Sequence, residues 1–100
     1  MIAKGCTCRN TFSIPYGEAE IEVLYITYCQ KKEIVLEKTI EDCVFDEGVV
    51  RVSLSQEDTL KFCDCSSVQI QIRAKLINGA ATKSNIIQTT TDEILKDGVI

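Results

Sequence analysis

The sequence predicts an all-β fold, an Ig-like antiparallel β-sandwich of about seven strands with one short helical turn, and three observations carry that expectation. Val68 to Leu76 alternates apolar and polar residues without a break. Such alternation sends successive side chains to opposite faces, so this strand has one face on a core and one in water. It runs into Asn78-Gly79, a pair that accepts positive φ at little cost and so marks a tight hairpin. Turn residues then divide the rest of the chain into short runs of ordinary strand length, a spacing typical of sandwiches. A small closed barrel is the alternative.

The elements follow in order. Thr11 to Ile14 is the first extended run, closed by Pro15-Tyr16-Gly17. Ile21 to Cys29 is apolar on both parities, with Ile21, Val23 and Tyr25 on one side and Leu24, Ile26 and Tyr28 on the other. A strand of that kind is covered on both faces or offers its outer face to a partner. Gln30-Lys31-Lys32 turns the chain into Glu33 to Ile40, where Ile34, Leu36 and Ile40 share a face. The short run Cys43 to Phe45 follows, then a hairpin at Asp46-Glu47-Gly48, then Val50, Val52 and Leu54 alternating with Arg51 and Ser53. Ser55 with Asp58 three residues on resembles a capping box, so Gln56 to Phe62 is expected to form one or two helical turns. A last strand is expected near Lys83 to Thr90, and Thr91 to Ile100 is a short helix or a tail. Shared parity places Ile34, Leu36, Val50, Val52, Leu54, Ile70, Ile72, Ala74 and Leu76 in the core.

One hundred residues make a single domain, 1–100, large enough to bury a core without staples. Hydrophobic residues are 45% and charged residues 26%, which suits a globular chain rather than a disordered one. The net charge is −4 and the cations are scattered, so neither nucleic acid nor an anionic membrane is an expected partner. No apolar run approaches the roughly 20 residues of a membrane helix. The opening Met-Ile-Ala-Lys-Gly-Cys lacks the apolar core of a secretory signal, so folding in a cytoplasm is expected.

Histidine is absent. That removes Ser-His and Cys-His nucleophile pairs and every metal site needing imidazole. Cys6-Thr7-Cys8 and Cys63-Asp64-Cys65 are the sharpest local feature, since four thiolates suit a tetrahedral zinc. Two arguments oppose that site. Structural zinc uses Cys-x2-Cys more often than Cys-x-Cys. An up-and-down chain path, reversing at residues 15, 30, 41, 47 and 60 to 66, also sets the two pairs at opposite ends. In that path Cys6 or Cys8 neighbours Cys29, and Cys43 neighbours Cys63 or Cys65. Bland thiols are the favoured reading, because acidic neighbours such as Asp64 do not favour a reactive thiolate. The acid pairs Glu41-Asp42, Asp46-Glu47, Glu57-Asp58 and Asp92-Glu93 fall at turns and helix starts, where carboxylates serve solubility and caps. No catalytic, cofactor-binding or metal-ligating residue is assigned, and no enzymatic activity is expected.

Several segments, in order along nearly the whole chain, carry a resemblance: Leu24 to Tyr28, Val35 to Cys43, Leu54 to Phe62, Val68 to Arg73, Ser84 to Ile86 and Glu93 to Gly98. On these the chain resembles small proteins encoded beside tail and baseplate genes in prophages of Firmicutes. It is also similar to the N-terminal domain of lactococcal-type baseplate upper proteins, which attach a receptor-binding apparatus to the tail. It departs from that pattern at Cys6, Cys8, Cys63 and Cys65. The resemblance implies a virion structural or adaptor protein acting by protein–protein contacts with other phage tail or baseplate proteins and as a homo-oligomer. It also implies assembly in the host cytoplasm and a final place in the virion. The competing expectation is a small ligand-binding module for a sugar, or for a metal held by cysteine thiolates. Ile21 to Cys29 and Ile94 to Ile100 are the expected contact surfaces.

Overall fold

The alternating segment forms β6 (Ser67–Leu76), which pairs antiparallel with β2 (Ile21–Gln30) at the centre of a five-stranded sheet. The computed structural model describes every residue from Met1 to Ile100. β3 (Glu33–Thr39) lies on the free side of β2, while β7 (Ala81–Lys83) and β8 (Ile87–Thr90) share the far edge of β6. A three-stranded sheet has the order β1 (Cys8–Ser13), β5 (Val49–Leu54), β4 (Cys43–Asp46). The result is an all-β sandwich of eight strands, every strand pair antiparallel.

The core lies between the sheets and is built by parity. Leu24, Ile26 and Tyr28 from β2 and Ile70, Ile72 and Ala74 from β6 meet Val50, Val52 and Leu54 from β5, all buried. Ile34 is the exception among the expected core positions, at 65% exposed. Tyr28 pairs with Leu36 but Cys29 pairs with Ile34, so Val35 is an extra residue in β3. That bulge flips the parity of the strand and turns Ile34 outward. Past the bulge the inward positions are Leu36 and Lys38, the latter opposite Ile26. Lys38 lies there because its long stem reaches out of the core to Asp58, at 2.9 Å.

The helical turn forms as α1 (Gln56–Leu60). The Ser55 hydroxyl accepts from the Asp58 N–H, and the Asp58 carboxylate accepts from the Ser55 N–H. Phe62, just beyond it, is buried and meets Tyr28 edge to face at 5.9 Å, closing that end of the core.

The expected final strand is split. The Ser84 N–H donates to the Ile72 carbonyl, but the Ile72 N–H donates to the Ser84 hydroxyl oxygen instead of to a backbone carbonyl. A side chain has taken a rung of the ladder, and β7 ends there. The terminal segment forms no regular element. The Gln56 side-chain amide holds it at Ile100, and Ile94 occupies the space a Cβ on Gly5 would need.

Candidate functional site

The chain path decides where the thiols sit. β1 does not pair with β2; the chain crosses between sheets through Pro15–Glu20, and β1 lies antiparallel to β5. This exchanges the ends expected of an up-and-down path. Lys4 forms an ion pair with Asp64 at 2.6 Å, its N–H donates to Asp92, and the Cys65 N–H donates to the Asp92 carbonyl. Thr59 accepts from the Gly5 N–H and donates to the Cys6 carbonyl. The Cys6 segment and the Cys63–Cys65 turn are therefore at the same end, not at opposite ends.

The expected thiol neighbours change with it. Cys43 lies opposite Val52 and Cys8 opposite Leu54, so both flank β5 with their side chains toward the core. Cys29 pairs with Gln69 and Ile34 on the outer face of the other sheet, away from Cys8. Cys63 is clamped instead to Gln30, which accepts from its N–H at 2.7 Å and donates to its carbonyl at 3.3 Å. All six cysteines are free thiols. No group of three or more Cys, Asp or Glu side chains is placed to hold a metal ion.

Burial raises the Cys43 thiol to about 11, and Asp42 adds to the shift. Burial also pushes Cys8 up. Neutral thiols of this kind are poor nucleophiles near neutral pH. Burial pulls the Asp58 carboxyl upward, but the Ser55 N–H and Lys38 together outweigh it and hold the group below the ordinary aspartate value. Burial raises the Tyr28 phenol, and its hydroxyl donates to the Asn10 amide oxygen at 2.7 Å. No buried side-chain polar atom lacks a partner.

Two depressions lie at the seams of the sandwich. A crevice of about 130 Å³ lies between β1 and the β6–β7 hairpin, lined by Ile14, Tyr16, Ile72 and Ala74 among others. That is below the roughly 300 Å³ of ordinary small-molecule sites. A wider cleft beside α1, open to solvent, holds Cys8, Arg9, Lys38 and Asp58. Lys38 and Asp58 already neutralise each other there.

The outer sheet faces differ more. β2 is a central strand between β3 and β6, so its backbone groups are used in ladders and it offers no edge. Its outer side carries Val23, Tyr25, Thr27 and Cys29, with Tyr25 42% exposed. Leu24 and Tyr28 face inward and are fully covered. Around Tyr25 stand Arg73, Lys75 and Ala81, enclosing a shallow groove of about 230 Å³. Sequence parity alone left open which side of this strand faces water; the pairing with Ile70, Ile72 and Ala74 decides it.

No protein-family model matches the chain, and neither a curated protein nor a solved structure matches it. No helix is long and apolar enough to cross a membrane.

Proposed function

We propose that this protein is a non-enzymatic structural or adaptor component of a phage tail or baseplate, working by protein–protein contact. Its partners are other tail or baseplate proteins and further copies of itself; it assembles in the host cytoplasm and ends in the virion. The resemblance of the segments from Leu24 to Gly98 to prophage tail-associated proteins is the source of the reading. The observation that carries it structurally is the outer side of β2, where Val23 and Tyr25 stand apolar and partly exposed in the middle of a sheet. Apolar groups grouped on a sheet face favour contact with another surface. Neither depression at the sandwich seams supports a ligand-binding module as well: one is small, and in the other, open to solvent, Lys38 and Asp58 neutralise each other and leave Arg9 as the one free charge.

The test is co-assembly. The protein is mixed with each tail and baseplate protein encoded beside it, and complexes are sought by sedimentation. A shift with at least one is expected. An unrelated set of neighbouring genes, or no shift with any tail protein, sinks the reading.

A further inference from the structure

On the outer face of the five-stranded sheet, Arg73 and Lys83 are directly opposite each other across the β6–β7 ladder. Like charges in that position repel. Neither has a carboxylate within 4.0 Å, whereas Lys4, Lys38 and Arg51 are each paired, and Lys75 reaches Glu22 at 4.0 Å. Two unpaired cations directly opposite each other beside an exposed tyrosine leave this part of the face locally basic in a chain of net charge −4.

Opposite charge stands at the near end of this sheet, in the turn that precedes β2. Glu18 and Glu20 form a short 3-10 turn leading into β2, both exposed and both without a cation within 4.0 Å. The Glu20 carbonyl accepts from the Ile77 N–H, which fixes the turn beside the end of β6, where Ile77 is 68% exposed. Along β2 the order is thus acidic (Glu18, Glu20), then Glu22 with its ion-pair partner Lys75 in the Val23 row, then Tyr25 with the basic pair Arg73 and Lys83 in its row. A surface that is acidic on one side of a point and basic on the other is complementary to itself under a two-fold rotation.

We propose that this face is the contact between two copies of the chain, related by a two-fold axis near Val23. Glu18 and Glu20 of each copy lie against Arg73 and Lys83 of the other, and Tyr25 is covered. The inference deepens the adaptor reading and rests on its premise that the chain works by contact. The overlapping area is about 25 Å along the strands and about 19 Å across four of them, from the ordinary strand rise and spacing. That lies near the lower limit of about 1,000 Å² total for a specific interface. The dimer is therefore weak and sensitive to salt.

The experiment is sedimentation of the full chain with reductant present, since Cys6, Cys63 and Cys65 are exposed thiols. A dimer is expected at low ionic strength, dissociating as salt rises toward ~1 M, where screening acts within about 3 Å. Arg73→Glu with Lys83→Glu is expected to weaken it by at least about tenfold, and Glu18→Lys with Glu20→Lys likewise. Joining all four changes in one chain restores the charge pairing and is expected to restore the dimer. Circular dichroism confirms that each variant folds. If one does not, the salt dependence of the unaltered chain and the Tyr25→Arg variant, expected to be monomeric, decide the matter. A wild-type monomer at ~1 mM and low salt overturns the proposal, as does a dimer indifferent to these reversals or a four-fold variant that remains monomeric. A monomer that still binds a tail protein overturns only the dimer and leaves the adaptor reading standing.

Discussion

The two sheets present similar aliphatic faces to each other and very different faces to water. On the three-stranded sheet the outer residues are Arg9, Thr11, Ser13, Val44, Asp46, Val49, Arg51 and Ser53, and Arg51 is paired with Asp46 at 3.2 Å. Most of its outward groups are polar, and its central cation is neutralised within the sheet. The five-stranded sheet places Val23 and Tyr25 outward beside Arg73 and Lys83, which repel each other. Burial in the core dictates inward residues in the same way on both sheets. Outward residues are free of that demand, so the difference between the faces is where something other than folding has left a mark.

The largest test of that contrast replaces neighbouring residues on β2. Leu24→Glu with Tyr28→Glu puts two carboxylates into the core between the sheets, and the chain is expected to lose its fold. Val23→Glu with Tyr25→Glu on the opposite side of the same strand is expected to leave the strand signal in circular dichroism and a cooperative melt. Equal effects from the two pairs would erase the distinction between inner and outer face.

A graded version uses aliphatic truncation. Ile72→Ala removes a buried side chain from the centre of the larger sheet and is expected to cost about 2–5 kcal/mol in denaturant unfolding. Ile34→Ala, at a position turned outward by the Val35 bulge, is expected to cost under about 0.5 kcal/mol. If Ile34→Ala proved as costly as Ile72→Ala, the bulge would be misplaced and the outer face redrawn.

Those positions also mark what the sequence makes legible. Val68 to Leu76 and Val50 to Leu54 announce their inner faces because one strand's own alternation is sufficient. Ser55 and Asp58 announce α1 because a capping box is local. The Val35 bulge has no such signal: Ile34, Leu36 and Ile40 look continuous, and only pairing against Tyr28 and Cys29 reveals the extra residue. The placement of the thiols failed for a related reason. Pro15-Tyr16-Gly17 and Gln30-Lys31-Lys32 both read simply as turns, yet one leads across between sheets and the other closes a hairpin. Lys38 was equally silent, since its inward position depends on a distant carboxylate at Asp58. The apolar outer side of β2 was visible from composition, but Arg73 opposite Lys83 appears only once the β6–β7 register is known.

Asp58 gives a smaller effect with a definite sign. Its folded-state value lies below that of the unfolded chain, so its ionised form stabilises the fold. That contribution is present above the unfolded value of a free aspartate and is lost as pH falls through the folded one. Asp58→Asn is therefore expected to be less stable at neutral pH, by about 1 kcal/mol for a weakened helix cap, and to flatten the decline on acidification. An unchanged acid slope would locate the titration elsewhere.

The smallest effect lies in the hairpin joining β2 to β3, the edge strand of the larger sheet. Lys31 and Lys32 hold φ of 52° and 67°, the left-handed conformation required by a two-residue turn of this hand. A lysine pays about 1–2 kcal/mol for that backbone shape, which glycine adopts freely. The second turn position ordinarily takes glycine, so Lys32→Gly is expected to relieve strain there. Part of the gain is offset by the greater freedom of glycine in the unfolded chain, leaving a net stabilisation of about 0.5–1 kcal/mol. The Tyr28 to Leu36 pairing and the Val35 bulge are set by the core and are expected to persist. Denaturant unfolding of Lys32→Gly beside the unaltered chain measures the gain. A loss of stability instead would mean that the turn relaxes to another geometry and that the outward placement of Ile34 and Cys29 depends on these two lysines.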